Sequence, residues 1–349
     1  MSFPTKPHIQ LLGSNGPIHA ITYSSSPSTY ILTGSSDRTI RLYNPSRVDE
    51  TSALSSVRVD EKSRYKSAQL IQSYTAHGYE VLSISIAPDN NTFASAGGDR
   101  TLFLWDVATA TTTRRFSGNH GHSARINTVT FAGEAASLLV SGSFDATVRI
   151  WDVKSRNIKP VMVLNEATDS VSCVIASDGD IWASSVDGKV RRYDIRMGRM
   201  IVDLIGVPVT CLRATKDQRG LLLSGLDSQV RLMDIDTGTL LRSYRADGWK
   251  NEEFRMWSCF GGRERWILCG NEKVEGSDGE VVVWDTLSGN LVERIKVEGS
   301  KVEGKKKIGR DGKDKERRNV ISCIVWKEDG KGDQWCCGGT DGIATVFGS

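Results

Sequence analysis

Residues 143–152 read SFDATVRIWD: a small residue, an aspartate two places on, a run of β-forming residues, a tryptophan and a second aspartate. The large residue follows the first aspartate by six. Asp145 tolerates the unusual backbone angles of a tight turn and its carboxylate can cap nearby N–H groups. The alternation T-V-R-I-W that follows has period two, the mark of a half-buried strand and not of a helix. The same arrangement occurs at 35–44 (SSDRTIRLYN), 97–106 (GGDRTLFLWD), 185–194 (SVDGKVRRYD), 225–234 (GLDSQVRLMD), 276–285 (GSDGEVVVWD) and 339–348 (GTDGIATVFG). Asp37, Asp99, Asp145, Asp187, Asp227, Asp278 and Asp341 thus mark seven copies, spaced 62, 46, 42, 40, 51 and 63 residues apart.

Working outward from each marker, a β-rich run lies just upstream, as in LLVSGS at 138–143, and another before it, as in INTVTF at 126–131. A fourth run follows, such as TRRF at 113–116 or TLLRSY at 239–244. Four antiparallel strands in 40–45 residues, led in by Gly-His or a substitute, resemble the WD repeat, so the expected fold is an all-β, seven-bladed WD-repeat β-propeller. A single propeller over 8–349 is expected. The chain ends at Ser349, straight after the third strand of the last copy, and HIQLLG at 8–13 precedes the first copy without a partner there. That N-terminal strand is therefore expected to complete the last blade, removing two exposed sheet edges. The long spacings place flexible insertions at 45–68 and 296–318. The second holds ten Lys/Arg against five Asp/Glu, a net charge of +5 in a segment almost without apolar residues.

Composition narrows the classes. The chain has 349 residues, 39% of them apolar, with 34 Gly, 8 Pro and a net charge of +3, which excludes a predominantly disordered chain and is too weak a charge to signal a nucleic-acid binder. No run of about 18 apolar residues predicts a membrane span, and the N-terminus lacks the apolar stretch of a secretory signal. Seven scattered cysteines without a C-x-x-C read as reduced thiols. The H-E-x-x-H, P-loop, dinucleotide-binding and G-x-S-x-G signatures are absent from the sequence, so no enzyme, no cofactor and no metal site is expected.

In WD repeats a His, a Ser or Thr, the turn Asp and the Trp form a buried hydrogen-bonded set. Matched here, blade two supplies His77, Ser95, Asp99 and Trp105, and blade three His122, Ser141, Asp145 and Trp151. The His-Gly-His at 120–122 is read this way and not as metal ligands. Blade one keeps Thr33, Asp37 and Tyr43 with Ser14 in the His place, and blades four to seven lose the His, Trp249 replacing it in blade six. Blades two and three are therefore expected to be the most rigid.

Arg192 breaks the pattern. The residue before the marker aromatic is apolar in the other blades, and a charge there needs pairing. Either the Arg shapes a partner surface or its head snorkels to a carboxylate on a neighbouring strand. Just beyond stand Asp194 and Arg196, an Asp-x-Arg that in some WD-repeat proteins contacts a ubiquitin-ligase adaptor. Contact positions on the narrower face are expected at Tyr79, Glu80, Arg125, Phe144 and Asp169, with Phe144 the anchor because most other blades carry Ser, Gly or Thr there.

HGYEVL at 77–82, GGDRTLFLWDVA at 97–108, INTVTF at 126–131, SVDGKVRRYDIRMG at 185–198 and LDSQVRLMDIDTGTLL at 226–241 resemble the mitogen-activated protein kinase organiser family of WD-repeat proteins. The long loops depart from that family. The resemblance implies a non-enzymatic protein-interaction scaffold in nucleus and cytoplasm, tied to spliceosomal components in pre-mRNA splicing or to the components of a kinase cascade. A ring closed on itself is expected to be monomeric within a larger complex, with any RNA contact peripheral through 296–318.

Overall fold

The computed structural model describes residues 3–49, 65–177, 179–272, 278–299, 319–328 and 333–348. They form a ring of seven antiparallel blades, with two single 3-10 turns and no helix long and apolar enough to cross a membrane. Strand β1 is Pro7–Leu11. Blade one is β2–β5 (Ile18–Tyr23, Ile31–Ser35, Thr39–Val48, Lys66–Thr75) and blade two β6–β9 (Val81–Ile86, Thr92–Gly97, Leu102–Asp106, Thr112–Phe116). Blade three is β10–β13 (Ile126–Ala132, Leu138–Ser143, Val148–Asp152, Met162–Leu164) and blade four β14–β17 (Val171–Ser177, Asp180–Ser185, Lys189–Asp194, Arg199–Leu204). Blade five is β18–β21 (Val209–Ala214, Gly220–Gly225, Gln229–Asp234, Leu240–Tyr244) and blade six β22–β25 (Cys259–Gly261, Trp266–Gly270, Gly279–Asp285, Leu291–Val297). Blade seven is β26–β28 (Ile321–Trp326, Trp335–Gly339, Ala344–Phe347) with β1 as its outer strand.

The turn aspartate explains the second hairpin of each blade. The residue after it lies in the left-handed region at Arg38 (φ 69°), Arg100 (59°), Ala146 (61°) and Ser228 (57°), where a side chain costs roughly 1–2 kcal/mol. The carboxylate offsets this by accepting the N–H two residues on: Thr39 at 3.1 Å, Thr101 at 3.2 Å, Thr147 at 3.0 Å, Lys189 at 3.1 Å and Ile343 at 3.0 Å.

Blades are joined by two devices. Seven apolar clusters fill the seven interfaces, as where Val140, Val148 and Ile150 of blade three meet Val171, Val174 and Ile181 of blade four. Nearer the axis, most first strands carry a bulge at their second residue, and this residue bonds the next blade. Asn127 Nδ2 donates to Val171 O (2.8 Å), Ser172 Oγ to Val209 O (2.5 Å), Thr210 Oγ1 to Met256 O (3.3 Å) and Ser322 Oγ to Ile18 O (2.9 Å). One residue further on, Ser83, Thr128, Cys173, Cys211 and Cys323 also bond the following blade. The cysteines here act as small packing residues with a weak donor, and all seven thiols are buried and unpaired.

Closure uses the N-terminal segment. Strand β1 pairs antiparallel with β28, Ile9 opposite Val346 and Leu11 opposite Ala344, and also parallel with the start of β5, so blades seven and one share an eight-stranded sheet. Phe3 sits among Trp266, Trp326 and Trp335, with ring centroids 5.1–5.9 Å away. Trp335 Nε1 donates to Pro4 O (2.9 Å) and Tyr43 Oη to Leu12 O (2.6 Å).

The insertion boundaries differ from expectation. Residues 45–48 and 66–68 are strand, extending the β4–β5 hairpin beyond the sheet, because Val48 pairs with Ala68 and β5 gains β1 as a second neighbour. Lys296 and Val297 belong to β25, and Val297 is buried against blade seven. Residues 50–64 and 300–318 lie outside the described residues.

Deleting residues 1–13 removes the buried Phe3, Ile9 and Leu11 and frees an edge of β28. Each side chain contributes ~1.5–3 kcal/mol by burial, so a loss of about 5 kcal/mol or more is expected. Urea denaturation with unchanged midpoint would show that the ring holds without this strand.

Candidate functional site

Blade two brings its four matched residues together. His77 Nδ1 lies 2.8 Å from Asp99 Oδ2 and Nε2 lies 2.7 Å from Ser95 Oγ, while Trp105 Nε1 donates to Ser95 Oγ at 2.8 Å. Blade three repeats this, with His122 Nδ1 2.9 Å from Asp145 Oδ2, Nε2 2.8 Å from Ser141 Oγ, and Trp151 Nε1 2.9 Å from Ser141 Oγ. The indole can only donate. The serine proton then goes to Nε2, leaving Nδ1–H for the carboxylate, a pattern that needs a neutral imidazole. Burial lowers the pKa of His122, outweighing the attraction of Asp145. For Asp145 burial alone would raise the pKa, but bonds from His122, Thr147 and the Ser123 N–H hold it well below the usual range. Both imidazoles are buried, and each ring nitrogen meets a protein partner, so these sets are struts and not acid–base centres.

The turn aspartates of blades one, four and five have partners that the sequence reading missed. Arg41 Nη2 lies 2.7 Å from Asp37 Oδ2, Arg191 Nη2 lies 2.6 Å from Asp187 Oδ2, and Arg231 pairs with Asp227 through both amino groups. A guanidinium four residues after the Asp puts its fork on the carboxylate that takes the imidazole in blades two and three. Half-buried carboxylates with a charged or strong donor beside them are thus spread round the ring and are not confined to blades two and three, so the bonding pattern does not single out those two blades. The signal was legible as Asp-x-x-x-Arg at 37–41, 187–191 and 227–231, and it recurs at 145–149, where Arg149 stands 4.0 Å from the Asp145 already bonded to His122. Arg41 and the Asn15 N–H bring Asp37 down to about 2 although burial opposes this. In blade six the acceptor role moves to Asn271, whose Oδ1 takes the Lys250 N–H at 2.9 Å beside the buried Trp249, because the turn to Asp278 is lengthened.

One face carries most of the expected contact residues. In six blades the N–H ahead of the turn Asp donates to the carbonyl just before the first strand, as Gly98 to Glu80 (3.0 Å), Phe144 to Arg125 (3.0 Å) and Val186 to Ser170 (2.9 Å). These clamps set Tyr79 and Glu80, Arg125 and Phe144, and Asp169 on one face of three successive blades. Tyr79 is 64% and Phe144 53% exposed, and the Arg125 guanidinium covers the Phe144 ring at 5.0 Å. Asp169 is exposed, its carboxylate taking the Ser170 N–H at 2.6 Å.

Arg192, Asp194 and Arg196 lie at the other end of blade four, apart from that group. The Arg192 head reaches Asp180 at 2.7 Å and Asp236 at 3.8 Å, stacks over Trp182 at 5.5 Å and stays partly exposed. It is therefore not a charge lost in the inter-blade core. Asp194 caps its own turn, accepting the Arg196 and Met197 N–H groups at 2.9 Å, as Asp106, Asp152, Asp234 and Asp285 do in theirs. Arg196 is exposed. Among the described residues no group of three or more His, Cys, Asp or Glu is placed to hold a metal ion.

The WD domain, G-beta repeat model matches residues 5–44, 68–106 and 112–152. Over 287 residues the chain is 39% identical to WD repeat domain-containing protein 83 of Rattus norvegicus, covering 82% of this chain and 81% of the relative. The chain belongs to the WD repeat domain-containing protein 83 family. The human member is 38% identical over 79% of this chain and 78% of its own length, and the Dictyostelium discoideum homolog 27% identical over 82% and 86%. Membership makes the chain a WD-repeat protein-interaction scaffold, of a kind that is generally non-enzymatic and typically binds proteins.

Two outcomes follow for the struts. Asp145→Ala strands a buried imidazole and backbone donors, with an expected cost of about 3 kcal/mol. Stability should also fall on acidification in two stages. Below about pH 6.5 the unfolded His122 takes up a proton that the folded one refuses, and below about pH 4 the unfolded carboxylates do the same against Asp37, Asp99, Asp145 and Asp187. Urea midpoints at pH 7.5, 5.5 and 3.5 check this, with His122→Gln flattening the first stage.

Proposed function

We propose that this chain is a non-enzymatic scaffold of the spliceosome in pre-mRNA splicing, docking protein segments on the face that carries Tyr79, Glu80, Arg125, Phe144 and Asp169. The observation that carries the reading is Phe144, a half-exposed aromatic held rigid by a guanidinium on its ring and a clamped backbone. Such an aromatic is pre-organised to fill a pocket on a partner at little entropic cost. Family membership supports a protein partner, and the basic stretch at 300–318, outside the described residues, supports residence in the nucleus as well as the cytoplasm. RNA contact is at most peripheral, through 296–318.

A second reading, a cytoplasmic scaffold for a mitogen-activated protein kinase cascade, is favoured by the likeness of blades one to six to the organiser family.

Affinity purification of the tagged chain, with and without RNase, separates the two. Late spliceosomal proteins are expected in both samples and should be lost with Phe144→Ala. Recovery of kinases without splicing factors would replace the first reading by the second. Deleting 300–318, which spares β25, is expected to lower the nuclear fraction in cell imaging, and an unchanged distribution would make that stretch a linker.

A further inference from the structure

Blade six departs from blades three, four, five and seven at the axis of the ring. Thr210 bonds Met256 O as Ser172 bonds Val209 O, which makes Trp257 the counterpart of Asn127, Ser172, Thr210 and Ser322. An indole cannot take over their short bond to the next blade, so blade six makes it through the backbone, Trp257 N–H to Ser322 O at 3.0 Å. The Trp257 ring then carries two guanidiniums, Arg213 at 4.6 Å and Arg255 at 5.3 Å from its centroid. Arg255 Nη1 donates to Asn127 O of blade three at 2.8 Å. Blades three and six are not neighbours in either direction round the ring, so this bond crosses the lumen.

The charges there are unbalanced. Nε and Nη2 of Arg255 are closed off from solvent and meet no hydrogen-bond acceptor among the described residues. Among the described residues Arg213 hydrogen-bonds only the carbonyl of Leu212, at 3.4 Å. Among the described residues no carboxylate lies within 4.0 Å of Arg125, Arg213 or Arg255. Glu328 acts on Arg213 from further off, and Glu80 is drawn on by His19. Burial lowers the pKa of Arg255 and the charges of Arg125 and Arg213 add to that, against an opposing pull from the Cys173 and Cys211 thiols. A buried N–H left without an acceptor is costly, more so when charged, and its retention points to a ligand that supplies the acceptor.

We propose that the lumen contains an oxyanion site for a phosphate group, held by Arg213 and Arg255 on their Trp257 platform, with Arg125 at the mouth. A guanidinium fork matches the oxygens of a phosphate, stacking on the indole fixes both forks in advance, and a narrow lumen focuses their field. A dianion offers three strong acceptors and balances two of the three charges, which a single carboxylate does not. On entry the Arg255 head exchanges its one bond to Asn127 O for charge-assisted bonds. The site is independent of which assembly the scaffold serves. Its phosphate is either free or carried on a partner protein, and the test separates these.

Thermal unfolding of the full chain is followed with inorganic phosphate against chloride at equal ionic strength. A saturable rise in midpoint is expected with phosphate alone. Arg255→Met, which keeps the stem over Trp257, and Arg213→Met should each weaken the apparent affinity at least tenfold, while Arg199→Met on the exposed outer strand of blade four responds like the wild type. Should Arg255→Met not fold, Arg255→Lys keeps charge and stem but loses the fork and is expected to bind several-fold more weakly. Equal responses to phosphate and chloride, or lumen variants that bind like the wild type, overturn the proposal. A phosphoserine in a Gly/Ser peptide that binds tenfold tighter than inorganic phosphate assigns the source to a partner protein, and equal binding assigns it to a free phosphate.

Discussion

A carboxylate placed at a tight turn has to be charged, bonded and partly buried at once, and the ring is built around meeting that demand six times over. The aspartate makes the turn possible by capping an N–H two residues on, which lets ordinary side chains occupy left-handed backbone. Its second oxygen then needs a cation or a strong donor. Blades two and three answer with an imidazole relayed through serine to tryptophan, blades one, four and five with an arginine fork, and blade seven with the amide of Asn319, 3.1 Å from Asp341. Blade six alone passes the role to an asparagine nearby. The solutions differ in chemistry and in place: the imidazoles, Asn319 and Asn271 fasten the lead-in of a blade to its own second turn, while the arginines brace that turn from the third strand.

That fastening also shapes the binding face. Once lead-in and turn are clamped together, the residues on either side of the clamp cannot retreat into the core, and their side chains ring the lumen. Where they are small the face is quiet. Where blade three places Phe144 beside Arg125, a hydrophobic surface is held out in water by a stacked cation. The lumen follows a parallel logic, in which short polar side chains belt one blade to the next and leave the axis open. Trp257 cannot join that belt, and the space it takes is shared with Arg213 and Arg255.

The repeat, its seven copies and the two histidine relays were legible in the sequence, since each depends on spacing within one repeat, and the closing strand, which joins Ile9 to Val346, was legible from the strand left over at each end. Asp-x-x-x-Arg was equally local, yet arginine in a strand usually reads as a solvated side chain, so the guanidinium was passed over where a histidine was sought. The ends of the long loops were misplaced for a different reason. Residues 45–48 and 66–68 look polar and irregular, and they become strand only because β1, distant in sequence, offers β5 a second edge. Arg192 stood out correctly as an exception, but its partner Asp180 on the adjacent strand, and the turn-capping duty of Asp194, needed register to be seen.

The sequence by itself determined the architecture, because turn chemistry and strand alternation act over a few residues and repeat with a countable period. Only the tertiary structure decided what stands at the axis. Arg255 and Asn127 are 128 positions apart, and no local pattern links them. They meet because closing the ring brings the first strands of all the blades to one lumen, where a side chain from blade six can reach the backbone of blade three.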